Sequence, residues 1–134
     1  MVFVPKEGKA DMSSLSGKLA LVVDDEPDMR DVICYELKSF QCNTIEASNG
    51  HEAYDLVLNN PVDLVVCDVR MAGGDGVELL KRLRERDPKK PPIILVTGYS
   101  ADLTYDQAQA MGAIALISKP INFDILIAMA QEAL

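Results

Sequence analysis

Five short apolar segments, separated by stretches with helical periodicity, constrain the fold of this chain more than any other feature of its sequence. The segments span residues 19–23, 44–47, 64–67, 93–96 and 114–117. The first, third and fourth are continuously apolar instead of alternating, which is typical of strands covered on both faces. We therefore expect the five segments to be the strands of one sheet, with its central members fully buried.

The stretches between these segments carry apolar residues at helical spacing. One helix face is formed by residues at i, i+3, i+4 and i+8, namely Met29, Val32, Ile33 and Leu37. Similar spacing recurs over residues 53–57, 77–83 and 123–134, and it is weakest over residues 101–111. The order βαβαβαβαβα predicts an α/β fold of three layers, a doubly wound parallel five-stranded sheet between two layers of helices.

The length of 134 residues suits a single domain. We place this domain at residues 18–134 and interpret residues 1–17, which mix apolar residues with proline, glycine and serines, as a flexible N-terminal leader. The leader lacks the apolar centre of a signal peptide. No apolar run approaches the ~18–20 residues of a membrane helix, so we expect no membrane association.

Charge and cysteine content narrow the functional classes. The formal net charge is −8 and no basic stripe is present, so direct binding to nucleic acid is not expected. Three cysteines, Cys34, Cys42 and Cys67, lie among apolar residues without the paired spacing of a metal site. We interpret them as free buried thiols, which is typical of a reducing, cytoplasmic compartment.

Polar residues directly follow four of the apolar segments. Asp24 and Asp25 follow the first segment, Asp68 the third, Thr97 the fourth, and Lys119 comes just after the fifth. In an open parallel sheet the ligand crevice lies outside the carboxyl ends of the strands. We therefore expect three carboxylates, a hydroxyl and an ammonium to converge at one edge.

Three neighbouring carboxylates need a counter-charge. Two like charges ~4 Å apart repel by roughly 4 kcal/mol at an effective dielectric near 20, unless a cation neutralises them or a pKa rises. Hard oxygen ligands of this kind suit Mg²⁺, which often completes its shell with phosphate. Thr97 and Lys119 are then candidate donors to phosphoryl oxygens.

This pattern resembles the receiver domains of response regulators in two-component signalling. The matching features are Asp24-Asp25, Asp68 with the loop to Gly76, Thr97-Gly98 and Lys119-Pro120. They are separated by 43 residues from Asp25 to Asp68, a further 29 to Thr97 and 22 more to Lys119. The resemblance extends over residues 18–134 and implies a flavodoxin-like (βα)5 fold.

The resemblance implies a role for each matching residue. Asp68 would be the phosphoacceptor, taking a phosphoryl group from the phosphohistidine of a sensor histidine kinase or phosphotransfer protein. Asp25 and Asp68 would bind Mg²⁺ directly, Asp24 would act through water, and the backbone carbonyl of Arg70 would be a further ligand. The domain would then be a switch that catalyses only its own phosphorylation and dephosphorylation, and not an enzyme.

The remaining implied roles concern the phosphoryl group and the switch. Thr97, Gly98 and Lys119 would bind phosphoryl oxygens or respond to them, and the bond before Pro120 would be cis, which X-Pro bonds permit. Arg70 and Tyr99 would tune hydrolysis of the acyl phosphate. By the same analogy, the surface from Ala101 to Leu134 is a candidate homodimer face.

Two positions depart from the family pattern. Leu116 occupies a position that is usually Phe or Tyr, so an aromatic switch residue is absent. Ala72 replaces the proline that usually follows the methionine of the loop. His51, the single histidine, has no part in the family mechanism and is interpreted as a surface residue.

Other interpretations stay open from the residues alone. Asp24 or Asp25 could cap a following helix, and Asp68 could be a solvated turn acid. An Mg-dependent phosphatase of the haloacid-dehalogenase type also uses an aspartate nucleophile, but the Asp24-Asp25-Glu26 order fits its Asp-x-Asp motif poorly. A pseudo-receiver would bind partners without phosphorylation. The chain could be a stand-alone receiver or a fragment of a longer regulator or hybrid kinase.

Overall fold

The structure, a computed structural model, describes residues 12–71, 75–86, 90–98 and 103–134. The strands are β1 Leu19–Val23, β2 Asn43–Ala47, β3 Leu64–Asp68, β4 Ile93–Thr97 and β5 Ala115–Ser118. The helices are α1 Met12–Leu15, α2 Pro27–Lys38, α3 Gly50–Asn59, α4 Gly76–Arg86, α5 Tyr105–Ala110 and α6 Phe123–Ala133. The alternation of strands and helices after residue 18 is as the sequence predicts.

All five strands form one parallel sheet in the order β2-β1-β3-β4-β5. The chain winds outward from β1 in one direction and then crosses to the other side, so the order reverses between β1 and β3. Val23 pairs with Cys67, and Asp68 pairs with Val96. This register brings the carboxyl ends of β1, β3 and β4 level with one another at the point of reversal, where ligands bind in such sheets.

An apolar layer covers each face of the sheet. On one face α1, α2 and α6 pack around side chains such as Ile33 and Leu126. On the other face α3, α4 and α5 pack around side chains such as Ala53 and Leu80. Every residue of β3 and β4 is buried, which explains why these strands are apolar up to their last residues, Asp68 and Thr97. The three-layer, doubly wound α/β prediction is confirmed.

The boundary of the folded unit lies earlier than the sequence predicts. Residues 12–15 form the short helix α1, and Leu15 is completely buried in the core between the sheet and α6. The amide of Gly17 donates to the carbonyl of Gln41. Residues 12–17, which the sequence pattern assigns to the leader, therefore pack with the domain through one apolar side chain; residues 1–11 lie outside the described part of the chain.

Two element boundaries in the second half also differ. The weak pattern over residues 101–111 corresponds to the shorter helix α5, which begins after Thr104. The Thr104 side chain accepts from the Gln107 amide, and Gln107 bonds back to the Thr104 amide, so a capping box sets this start. β5 begins at Ala115, and Ile114 just before it is exposed.

The described structure agrees with two further expectations, on the cysteines and on His51. Cys34, Cys42 and Cys67 are free and buried. His51 lies on the surface, with its Nδ1 3.3 Å from Arg82 Nη1. Among the helices of the described ranges, none has the length and apolar character that a bilayer crossing requires.

Candidate functional site

Three aspartates meet at the carboxyl edge of the sheet. Asp24 and Asp25 directly follow β1, and Asp68 is the last residue of β3. One carboxylate oxygen from each residue lies within 4.8 Å of the others. Asp24 and Asp68 are buried and Asp25 is exposed, so two carboxylates of the cluster lie inside the protein and one lies on its solvent side.

Lys119, which follows β5, reaches into this cluster. Its Nζ lies 3.1 Å from Asp68 Oδ2 and 3.6 Å from Asp24 Oδ2. Glu26 Oε1 is 3.9 Å away on the solvent side. One ammonium therefore contacts three carboxyl groups, two of them buried, and partly compensates their mutual repulsion.

The pKa values of these groups reflect that arrangement. Burial raises the pKa of Asp68 above its usual range, the charges of Asp24 and Asp25 add to the rise, and Lys119 opposes it. For Lys119, burial favours the neutral amine, but the hydrogen bond and charge of Asp68, with the charges of Asp24 and Glu26, raise its pKa overall. A single lysine thus leaves the carboxylates under-neutralised.

The donor set fits a hard divalent cation. Two aspartates offer carboxylate oxygens from buried positions, a third offers one from the solvent side, and no soft ligand is among the three. Mg²⁺ takes oxygen ligands of this kind and keeps several waters. Burial disfavours the ionised form of Asp68, and a bound divalent cation would stabilise that ionised form.

The loop after β1 is fixed by several hydrogen bonds. Asp24 Oδ1 accepts from the Glu26 amide at 2.9 Å, and the Arg30 guanidinium donates to the Asp24 carbonyl at 2.7 Å. The N-cap of α2 is Glu26, with Pro27 in the first turn, and no side chain caps the helix. The helix-cap alternative for Asp24 and Asp25 therefore does not hold, because both precede the N-cap.

The last residue of β4 and the residue that follows β5 are joined by a backbone hydrogen bond. Thr97 is buried at the end of β4, and its carbonyl accepts from the Lys119 amide at 2.8 Å. The Lys119-Pro120 peptide bond is cis, as the resemblance implies. A Cβ built on Gly98 would come nearest to Lys119 Cδ, at 3.8 Å, so Gly98 flanks the lysine stem.

The remaining predicted positions are Arg70, Leu116, Ala72 and Tyr99. Arg70 is exposed two residues beyond Asp68. Leu116, which stands where the family usually has an aromatic, is half-buried and packs against the core on the side of α3 and α4. Ala72 and Tyr99 lie outside the described residues.

Three residues near the site have no binding or catalytic role assigned from the sequence. Glu26 contacts Lys119, Arg30 fixes the Asp24 carbonyl, and Gly76 lies against Asp68. A Cβ on Gly76 would be only 2.5 Å from the backbone oxygen of Asp68. Arg30 has a weak sequence signal, because helical side chains tilt toward the helix N-terminus and a long side chain in the first turn can reach the preceding loop.

Comparisons with known proteins agree with this geometry. The family model described as response regulator receiver domain matches residues 20–131. The response regulator protein PilR of Pseudomonas aeruginosa is 33% identical over 120 residues, covering 90% of this chain and 27% of PilR. The transcriptional regulatory protein ZraR of Escherichia coli is 36% identical over 114 residues, covering 85% of this chain and 26% of ZraR.

Solved structures of response regulators have a similar fold. The receiver domain of the Francisella response regulator 1452 superimposes with a TM-score of 0.81 at 26% identity, covering 87% of this chain and 96% of that one. The response regulator TrrA of Thermotoga maritima, solved in complex with Mg(2+)-BeF, has a TM-score of 0.79 at 33% identity, covering 87% and 99%.

A doubly wound sheet with an acidic cluster at the reversal of its strand order defines the class of fold and site, and the family model identifies the family. The chain belongs to the response regulator receiver domains of two-component signalling. It spans about a quarter of the length of the curated relatives PilR and ZraR.

Proposed function

We propose that this domain accepts a phosphoryl group on Asp68 in an Mg²⁺-dependent reaction and thereby switches its interactions with a partner. The observation that carries the proposal is the convergence of Asp24, Asp25 and Asp68 with Lys119 bonded to Asp68. The relative TrrA, whose structure was solved with Mg(2+)-BeF, supports the choice of metal. The ion would be held by Asp25 and Asp68, with Asp24 acting through water and the Arg70 carbonyl as a further ligand.

The chemistry is a substitution at phosphorus. A carboxylate oxygen of Asp68 attacks the phosphorus of a phosphohistidine, a new O–P bond forms, and the P–N bond breaks. The released imidazole takes up a proton, and Asp68 becomes an acyl phosphate. Catalysis of this step depends on positioning and on neutralising charge; the bound ion would supply positive charge beside the transferred oxygens.

Each group of this chain has a definite part in that reaction. Asp68 is held at the end of a fully buried strand, so its carboxylate is presented with little freedom. Lys119 stays charged because its pKa is raised, and its ammonium can shift from the carboxylate to an incoming phosphoryl oxygen. Thr97, with Gly98 beside it, would bind another phosphoryl oxygen and transmit the effect of phosphorylation toward β5.

The donor and the output follow from the family. We propose a sensor histidine kinase or a phosphotransfer protein as donor, and the surface from Ala101 to Leu134 as a candidate face for homodimerisation. Because relatives such as ZraR are transcriptional regulatory proteins, an output in gene regulation is a proposal for the whole protein that contains this domain.

Mass spectrometry after treatment with acetyl phosphate tests the proposal. The folded wild-type chain should gain the mass of one phosphoryl group when Mg²⁺ is present and none when EDTA replaces it. The matched variant Asp68→Asn, which keeps the size of the side chain, should gain none in either condition. Label that persists in Asp68→Asn, or a folded wild type that stays unlabelled with Mg²⁺, would contradict the proposal.

A further inference from the structure

Arg30 links the loop after β1 to the end of β2. Its Nη1 donates to the backbone carbonyl of Asp24 at 2.7 Å, and its Nε donates to Glu46 Oε1 at 3.1 Å. The arginine side chain is 18% exposed and that of Glu46 is 41% exposed, so the pair lies at the protein surface but the guanidinium is mostly covered. The two bonds use two in-plane donors of one rigid guanidinium, a fixed geometry that the ammonium of a lysine does not have.

The rest of the loop depends on the position of Asp24. The Asp24 amide donates to the Ala47 carbonyl at 3.2 Å, and Asp24 Oδ1 accepts from the Glu26 amide. Val23 with Ala47 is the last residue pair of the β1–β2 register, so Asp24 lies one residue beyond it. Arg30 provides the donor for the Asp24 carbonyl.

The start of α2 does not fix the loop by itself. Its N-cap, Glu26, makes no side-chain bond to the first turn, which is the usual device for holding a helix start. The backbone does connect the two, because the Arg30 amide donates to the Glu26 carbonyl at 3.2 Å. Arg30 therefore bonds the loop at two points, through its amide at Glu26 and through its guanidinium at Asp24.

We propose that Arg30 is a positioning residue for the acidic cluster: by holding the Asp24 carbonyl against β2, it keeps Asp24 and Asp25 where their carboxylates face Asp68. Arg30 touches neither the phosphoryl group nor the reacting atoms in this role. The inference rests on the proposed function only in so far as the cluster binds Mg²⁺, and one of its two tests needs no metal.

Whether removal of Arg30 weakens or strengthens Mg²⁺ binding distinguishes a positioning role from a purely electrostatic one. If Arg30 were only a nearby positive charge, its removal would strengthen cation binding by the acidic cluster. If Arg30 positions the loop, its removal weakens binding, and partners of this outer kind commonly contribute about tenfold to metal affinity. We expect Arg30→Ala to bind Mg²⁺ about tenfold more weakly in calorimetric titration, and Arg30→Lys to fall between it and the wild type.

Amide hydrogen exchange of the metal-free protein is the second readout. In Arg30→Ala the Glu26 amide, which is bonded to Asp24 Oδ1, should exchange several times faster than in the wild type. The Val69 amide, bonded to the Val96 carbonyl just beyond the end of β3, should be unchanged and reports that the fold is intact. The control Lys38→Ala removes an exposed charge from the far end of the same helix and should change neither readout.

The outcomes are distinct. Unchanged Glu26 exchange in Arg30→Ala, or Mg²⁺ binding that is equal to or tighter than that of the wild type, would overturn the positioning role. A wild type that binds no Mg²⁺ would overturn the proposed function instead, while the exchange measurement would still decide whether Arg30 holds the loop. If Arg30→Ala unfolds, Arg30→Lys carries both measurements, with the same directions expected.

Discussion

Lys119 Nζ lies 3.1 Å from Asp68 Oδ2 and 3.6 Å from Asp24 Oδ2, so one ammonium serves as counter-ion to both buried carboxylates. In this arrangement the lysine and a divalent cation neutralise the same charges. Lys119 therefore stabilises the metal-free site and opposes cation binding, even though it is suited to hold a phosphoryl oxygen afterwards.

Removal of the Lys119 charge should tighten Mg²⁺ binding. At the separations seen here one unit charge is worth at least about 1 kcal/mol toward a nearby cation, so we expect Lys119→Met to bind Mg²⁺ about five- to tenfold more tightly in calorimetric titration. Lys119→Arg keeps the charge and should stay within about twofold of the wild type. Equal affinity in Lys119→Met and the wild type would show that the ammonium does not act as the counter-ion.

The raised pKa of Asp68 predicts a pH-dependent gain in stability for Asp68→Asn in EDTA. Because burial raises that pKa, the folded protein binds this proton more tightly than the unfolded chain does. The stability gained in this way is complete below the unfolded-state pKa and is lost as the pH rises through the folded-state pKa. Asparagine stays neutral, so the variant should melt a few degrees higher at neutral pH and lose that advantage in acid.

Thermal unfolding across a pH series checks this expectation. Lys119 keeps Asp24 as a partner at 3.6 Å in the variant, so the comparison does not leave the ammonium without a carboxylate. An Asp68→Asn protein that is less stable than the wild type at neutral pH, with a stability difference that does not change as the pH falls, would contradict the prediction that ionised Asp68 destabilises the fold because it is buried.

Gly76 should tolerate no side chain. A Cβ there would lie 2.5 Å from the Asp68 backbone oxygen and 3.2 Å from Cys67 Sγ, both on a buried strand that cannot move aside. Gly76→Ala should lower the free energy of unfolding by about 1–3 kcal/mol and weaken Mg²⁺ binding by displacing Asp68. Gly98→Ala is the matched control, since its Cβ meets nothing nearer than 3.8 Å. Equal denaturant midpoints for the two variants would contradict the steric argument.

Leu15 tests whether α1 is part of the folded unit. The side chain is fully buried and belongs to the core on the side of α2 and α6. Leu15→Ala should lower the free energy of unfolding by about 2–4 kcal/mol in urea titration. Tyr35→Ala removes a larger side chain that is 73% exposed and should change it by no more than about 0.5 kcal/mol. A Leu15→Ala protein as stable as Tyr35→Ala would restore the leader interpretation.

Sequence patterns predicted the sheet well because its strands are buried on both faces. β1 coincides with the predicted segment, β2, β3 and β4 are each one residue longer than theirs, and β5 is shifted by one residue toward the C-terminus. Leu15 was missed because a single buried leucine among polar residues has no periodicity of its own. The α5 start was misplaced because it depends on the local capping box at Thr104 and not on apolar spacing.

The acidic cluster could be predicted because parallel strands bring residues at their carboxyl ends to one edge. Asp24, Asp25, Asp68 and Lys119 meet there as expected. Glu26, Arg30 and Gly76 could not be assigned in this way, because their contacts depend on how the first turns of α2 and α4 approach the strands. Such contacts are set by helix orientation, which residue spacing alone does not specify.

The central claim is that the three aspartates bind a divalent cation that prepares Asp68 for phosphorylation, and Mg²⁺ titration of the wild type against Asp25→Asn tests it most directly. Asp25 is the exposed member of the cluster, so its replacement removes a ligand without disturbing the core. We predict one Mg²⁺ bound by the wild type in the millimolar range or tighter, and at least about tenfold weaker binding by Asp25→Asn. No uptake of Mg²⁺ by the folded wild type at millimolar concentrations would contradict the account.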